Sequence, residues 1–249
     1  MKNTVTTETL PTPDQYIDLL DNNVALSLML SNQSEAIEAV RQSLPSIEKA
    51  VSEIFNTLSN NKKSKLIYVG AGTSARIAVQ DGVELYPTFN WPKKRVSYII
   101  AGGDMALTRS IEGAEDLENE KVEYLVKSKI RDIDVVIGLA ASGSTKFTVK
   151  IIKLAKSLGA LTIGVSNNEN SILEKASNIP ILLNTGMEIV AGSTRLKAGT
   201  AQKICLNLIS TLVMARLGNV KNGMMNNLVV TNVKLKNRRK LINQKLNSI

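Results

Sequence analysis

The stretch LIYVGAGTSARIAVQDGVE, residues 66–84, opens with an apolar run, Leu66–Val69, bounded by glycine. Such a run reads as a buried parallel strand. Gly70, Ala71, Gly72, Thr73 and Ser74 make a small-residue turn, and Ile77, Ala78 and Val79 begin a helical pattern. A strand, a tight loop and a helix start aim backbone N–H groups at an anion. Thr73 and Ser74 add hydroxyl donors. The stretch is neither GxGxxG, since Ala75 holds the third glycine position, nor a P-loop, since no Gly-Lys-Ser/Thr follows. Taken alone it is either a phosphate loop or an ordinary βα turn.

The same alternation recurs downstream. Val96–Ile100, Val135–Leu139, Leu161–Val165 and Ile179–Leu183 read as further strands. Helices are expected over residues 74–85, 104–111, 117–130, 146–158, 171–177 and 193–217. Strands that are apolar throughout and alternate with helices indicate a parallel sheet covered on both faces. Ligands of such sheets bind beyond the carboxyl ends of the strands. A second Ser/Thr-rich turn, Ala140–Thr145, falls at such an end. Two of these turns on one sheet edge point to a phosphorylated small ligand. The cheaper role for the same hydroxyls is helix capping.

Upstream, residues 1–11 are expected to be disordered. Thr12-Pro13-Asp14 resembles a helix start, and helices are expected over 13–30 and 34–58, with Pro45 kinking or dividing the second. Their apolar positions need a surface, and packing on a partner subunit is one use of them. This gives three parts: an N-terminal helical segment 1–58, an α/β domain 59–218, and a polar, partly helical tail 219–249.

Composition narrows the chemistry. The 249 residues contain no histidine, which removes the Ser-His-Asp triad, the commonest general base and the commonest metal ligand. Acid–base work falls to Asp, Glu, Lys, Tyr or water. The single cysteine, Cys205, excludes an intrachain disulfide and fits a reducing, cytoplasmic setting. It reads as a buried spacer in an apolar helix. No signal-peptide core or transmembrane run is present, so no membrane partner is expected. The net charge of +9 suits anion steering, but aromatics are only 4% and do not alternate with basic clusters, so no nucleic-acid partner is expected.

GAGTSAR at 70–76, VELYPTF at 83–89, AGG at 101–103, EGAED at 112–116, AASGST at 140–145 and GSTRLKAGTAQK at 192–203 occur in this order. Together they resemble the N-acetylmuramic acid 6-phosphate etherases, which have the sugar isomerase (SIS) fold. The resemblance spans about residues 10–233. It implies a three-layer αβα sandwich around a five-stranded parallel sheet, a homodimer, and no metal or organic cofactor. The implied reaction cleaves the D-lactyl ether of a phosphosugar by elimination and hydration. Glu84 matches the family's principal acid–base glutamate and Glu115 the second one. Gly72, Thr73, Ser74, Ser142, Gly143, Ser144 and Thr145 are the implied substrate-binding residues. Glu188 is a candidate for a sugar hydroxyl. Lys197, with Arg195, is a candidate for an anion, against the alternative of surface or intersubunit pairing.

The chain departs from the family at Ala75, where glycine is usual, at Ser144, where arginine is common, and across Gln80–Val83. Its tail also stops where the family often continues into a small helical domain. The departures near the site keep a non-catalytic phosphosugar-binding regulator as the alternative.

Overall fold

The computed structural model describes residues 6–114, 119–230 and 233–246. Five parallel strands form the central sheet: β1 (Leu66–Gly70), β2 (Val96–Ile100), β3 (Val135–Ala140), β4 (Leu161–Ser166) and β5 (Ile179–Leu182), in the order β2-β1-β3-β4-β5. Gly70 pairs with Leu139 and Ile100, so the ends of β1, β2 and β3 are level. The chain steps from β1 outward to β2, then crosses back to β3. Right-handed crossovers require that this reversal change the face on which the connecting helix lies. Accordingly α3 (Gly72–Phe89) covers one face, while α4 (Asn119–Lys129), α5 (Lys146–Ser157) and α6 (Ile172–Ala176) cover the other.

The strand residues alternate between two cores. Leu66, Tyr68, Val135, Ile137 and Leu139 face a cluster that includes Ile47, Val51 and Ile54 of α2 (Leu44–Asn60), Leu85 of α3, and Cys205 and Ile209 of α7 (Lys197–Met214). Ile67, Val69 and Val136 face Val122, Val126, Phe147, Ile151 and Leu173. This is the expected three-layer sandwich.

The N-terminal helices differ from their expected bounds. The first helix, α1, spans Asn22–Gln42, preceded by short 3-10 turns at Pro13–Gln15 and Ile17–Leu19. The polar run Ser31–Ser34 does not break it, because polar residues sit comfortably on a helix surface. The break comes at Ser43, and Pro45 lies in the first turn of α2. Proline has no N–H to give and its ring collides with the carbonyl four residues back, so α1 cannot pass through it. The apolar face of α2 needs no partner subunit, since Ile47, Val51, Ile54 and Leu58 are buried in the chain's own core. α1 keeps Val24, Leu26, Leu30 and Ile37 exposed.

Three further differences are local. α3 continues past Pro87 to Phe89 and stops at Asn90, which is left-handed at φ 54°. Proline's missing N–H frees only the carbonyl of Val83, an exposed position that water can reach. Residues 104–111 form a 3-10 turn at Gly103–Leu107 instead of a helix. After α7 the tail makes a two-residue hairpin, β6 (Val220–Lys221) with β7 (Met224–Met225), and ends in α8 (Val233–Leu246). Among the described residues no helix is long and apolar enough to cross a membrane.

Candidate active site

The strand order reverses between β1 and β3, and open α/β sheets bind ligands in the crevice this creates. Both Ser/Thr turns flank that crevice, because β1 and β3 are hydrogen-bonded neighbours and adjacent strands lie about 4.8 Å apart. On one side is the start of α3. The N–H groups of Gly72, Thr73 and Ser74 occupy its first turn, where helices leave donors without internal acceptors and carry partial positive charge. Gly72 has φ +53° and Gly70 lies close under the turn: a Cβ there would sit 3.1 Å from the Ala75 nitrogen. Ala75 itself is buried, so its methyl is absorbed by the core.

On the other side is the turn Ala141–Thr145. Gly143 has φ +65°, and an added Cβ would meet the Ser171 side chain at 2.3 Å, so glycine is required on both counts. The backbone N–H and hydroxyl of Ser144 lie 3.2 and 3.1 Å from Ser142 Oγ, which draws the turn tight. Thr145 is the residue before α5 and makes no side-chain cap there. Its hydroxyl is therefore not consumed by the capping role that its position suggests.

A third helix start is closed. Glu188 is fully buried, and its two carboxylate oxygens accept the N–H groups of Lys197 (3.1 Å) and Ala198 (2.9 Å) at the head of α7. Burial pushes its carboxyl above the ordinary range, against the downward pull of those N–H groups and the Lys197 charge. Both carboxylate oxygens of Glu188 are thus engaged in capping α7 from within, a role the sequence did not suggest. Lys197 is also buried, and its Nζ pairs with Glu35 of α1 at 2.5 Å. That pairing lies within the chain, where an anion or an intersubunit partner was expected.

Glu84 lies further along α3, exposed and making no hydrogen bond among the described residues. It shares a stripe with Thr73, Ile77 and Gln80, spaced as one helix face requires. It follows Ser74 by ten positions, about 15 Å along the axis. Glu84 and the start of α3 therefore lie at different levels along the helix. Glu115, the other candidate carboxylate, lies outside the described residues.

Sequence reasoning missed several polar groups beside the crevice. Asp81 is buried between α3 and α7 and accepts from Tyr68 Oη (2.7 Å), Asn207 Nδ2 (2.9 Å) and Ser210 Oγ (2.9 Å). Burial first, and the Asp81 charge second, raise Tyr98 to about 12 and hold Tyr68 well above its ordinary value. Asn167 and Asn168 follow β4 at the same sheet edge. The only signal for them in the sequence is their place after a strand.

A parallel sheet of this order with helices on both faces places the chain among the doubly wound α/β proteins, and the comparisons narrow it to the SIS fold. The description "SIS domain" matches residues 116–212, and "Glucokinase regulatory protein N-terminal SIS domain" matches residues 46–156. The solved structure of a phosphoheptose isomerase from Francisella tularensis superposes with a TM-score of 0.55 at 18% identity, over 78% of this chain and 97% of that one. The N-acetylmuramic acid 6-phosphate etherase of Clostridium beijerinckii is 42% identical over 236 residues, 95% of this chain and 77% of the relative. That of Deinococcus radiodurans is 40% identical over 222 residues, 89% of this chain and 72% of the relative. The chain belongs to the N-acetylmuramic acid 6-phosphate etherase family.

Proposed function

We propose that this chain is a carbon–oxygen lyase. It cleaves the D-lactyl ether of N-acetylmuramic acid 6-phosphate and yields N-acetylglucosamine 6-phosphate and D-lactate. The observation that carries the reading is the pair of open, Ser/Thr-lined turns at the β1/β3 crevice. The phosphate binds there, against the first N–H groups of α3 and the Ser142–Thr145 turn, with hydroxyl donors from Thr73, Ser74 and Ser142.

The chemistry needs one mobile proton and no redox step. In the ring-opened sugar the C2 hydrogen is acidic because it adjoins the aldehyde. A carboxylate removes that proton, the C2–H electrons form a C2=C3 double bond, and the C3–O bond breaks. The departing lactate oxygen takes a proton. Water then adds across the double bond, hydroxyl to C3 and hydrogen to C2. Glu84 is the carboxylate assigned to this work, shared with Glu115.

The reacting carbons lie within one sugar ring of the phosphate. The roughly 15 Å between Ser74 and Glu84 along one helix exceeds the span of the sugar phosphate itself. We therefore assign Glu84 to the site of a second copy, in a homodimer whose sites are built from both chains. The exposed Leu26, Leu30 and Ile37 of α1 and Leu208 and Leu212 of α7 supply apolar surface for such a partner.

The test is release of D-lactate from N-acetylmuramic acid 6-phosphate. Release that is lost in Glu84→Gln supports the reading. A folded protein that releases none overturns it. Calorimetric binding of the sugar phosphate without turnover would select the regulatory alternative, toward which the match to the glucokinase regulatory protein domain over residues 46–156 points.

A further inference from the structure

Within the stretch 1–11 expected to be disordered, residues 6–8 are fixed beside the turn that follows β3. Thr6–Glu8 forms a 3-10 turn, and Thr7 is 0% exposed. One side chain, Asn168, ties it to the Ser142 turn. Asn168 Oδ1 accepts from Thr6 Oγ1 (2.9 Å) and from the Thr7 N–H (3.3 Å). Asn168 Nδ2 donates to Thr7 Oγ1 (3.0 Å) and to the carbonyl of Ala141 (2.9 Å), the residue just before Ser142. The amide orientation is dictated by its partners: a backbone N–H cannot accept and a carbonyl cannot donate. All four hydrogen-bonding positions of the amide are used. The strap has a second anchor, since the Gly192 N–H donates to the Thr7 carbonyl at 3.1 Å. Gly192, at φ +71°, also leaves room for Glu8: an added Cβ would meet its Oε2 at 2.9 Å.

We propose that Thr7 and Asn168 are positioning residues for the substrate turn. The Ala141 carbonyl accepts the Asn167 N–H (2.9 Å) as well, and the strap Thr6–Glu8, through Asn168, adds the second bond that narrows where Ser142 and the following N–H groups present themselves to phosphate. A buried amide with every position satisfied is a rigid link, and leaving part of it unpaired is costly. This inference rests on the reading of the Ala141–Thr145 turn as part of the phosphosugar site.

The experiment uses the full chain with Thr7→Val, which keeps the side-chain volume and removes the hydroxyl, Thr7→Ser, which restores it, and Asn168→Ala. Hydrogen exchange is read at residues 141–145 and, as a distant control, at 61–65 on the opposite sheet edge. Binding of N-acetylglucosamine 6-phosphate is read by calorimetry. Thr7→Val and Asn168→Ala should speed exchange at 141–145 and leave 61–65 unchanged. They should weaken the phosphosugar roughly tenfold, the loss expected for one or two hydrogen bonds, and Thr7→Ser should recover it. Coupling is reciprocal, so the phosphosugar should slow exchange at Thr6–Glu8 in the unmutated protein. Unchanged exchange at 141–145, or faster exchange with undiminished affinity, overturns the proposal. An unmutated protein that binds no phosphosugar instead overturns the functional reading on which the proposal rests.

Discussion

Asp81 and Glu84 stand three residues apart on α3, and the fold gives them opposite surroundings. Asp81 is buried and accepts three hydrogen bonds, whereas Glu84 is exposed and makes none among the described residues. Only the second is open to solvent, and it is the one we assign to the chemistry. Glu84→Gln keeps the shape but cannot exchange a proton. Lactate release should fall by about 10²–10⁴-fold, the usual contribution of a general acid–base group, while phosphosugar affinity stays within a factor of a few. Turnover close to that of the unmutated protein removes Glu84 from the mechanism. Ser74 and Ser142 have the converse assignment. Ser74→Ala and Ser142→Ala should each raise KM with little loss of kcat, since each deletes one donor to a charged group, a bond worth roughly 1.5–3 kcal/mol. A rate that saturating substrate fails to restore would give those hydroxyls a role in the chemical step. Of the two, Glu84 was legible in the sequence through its family motif. Which of them is buried was not, because it depends on where Tyr68, Asn207 and Ser210 arrive from other elements.

Helix starts are the second scale at which the site is built. Those of α3 and α5 open on the crevice, while that of α7 is closed by Glu188. Glu188→Gln replaces one acceptor oxygen with an NH₂ that faces a backbone N–H. The variant should lose about 1–3 kcal/mol of stability, the cost of an unpaired buried donor, and a urea midpoint measured beside helical content checks it. An unchanged midpoint would mean that the cap is dispensable. Glu188 was legible as a carboxylate preceding a Ser/Thr-rich motif, and its use as a cap became visible only with the fold of the loop between β5 and α7. The strands, by contrast, were legible almost to the residue, since a continuous apolar run bounded by small residues has few other uses. The division of α1 from α2 was half legible. Pro45 marks it, but the polar Ser31–Ser34 competes as a break, and only burial of α2 against the sheet decides between them.

At the scale of the whole molecule, the large core face carries three groups that resist ionisation. Cys205 is raised from 9.0 to about 12 and Tyr98 from 10.0 to about 12, both chiefly by burial, and Tyr68 is raised well above 10.0 for the same reason. The unfolded chain would deprotonate them at ordinary values. Because the folded values are the higher ones, their contribution is complete below about pH 9 and is lost as pH rises towards 12, by up to about 1.4 kcal/mol per pH unit for the buried Cys205 and Tyr68 and by less for the partly exposed Tyr98. Stability to urea should therefore decline from about pH 9 upward, and Cys205→Ala should flatten the first part of the decline. A level profile across that range contradicts the burial of these groups. Assembly is tested at the same scale. Light scattering should give a dimer of the 27.0 kDa chain, and a fully active monomer would end the shared-site reading. Mixing inactive Glu84→Gln chains with inactive Ser142→Asp chains should regain activity in mixed dimers, because one of their two sites would then draw both intact residues. No recovery after confirmed subunit exchange would place both residues in one chain's site.

Read along the chain, local patterns suffice for the parallel sheet, its helical layers, the two Ser/Thr turns at its carboxyl edge and the family. Apolar runs, small-residue turns and short motifs each carry their meaning within a few residues. Folding selects which polar residues are spent inside. Glu188 closes α7, Lys197 meets Glu35, Asp81 locks α3 to α7, and Thr7 reaches Asn168 from the far end of the chain. The last of these pairings joins residues 161 positions apart. No local pattern encodes them, because a buried polar group takes whichever partner the packing of distant elements brings within hydrogen-bond reach.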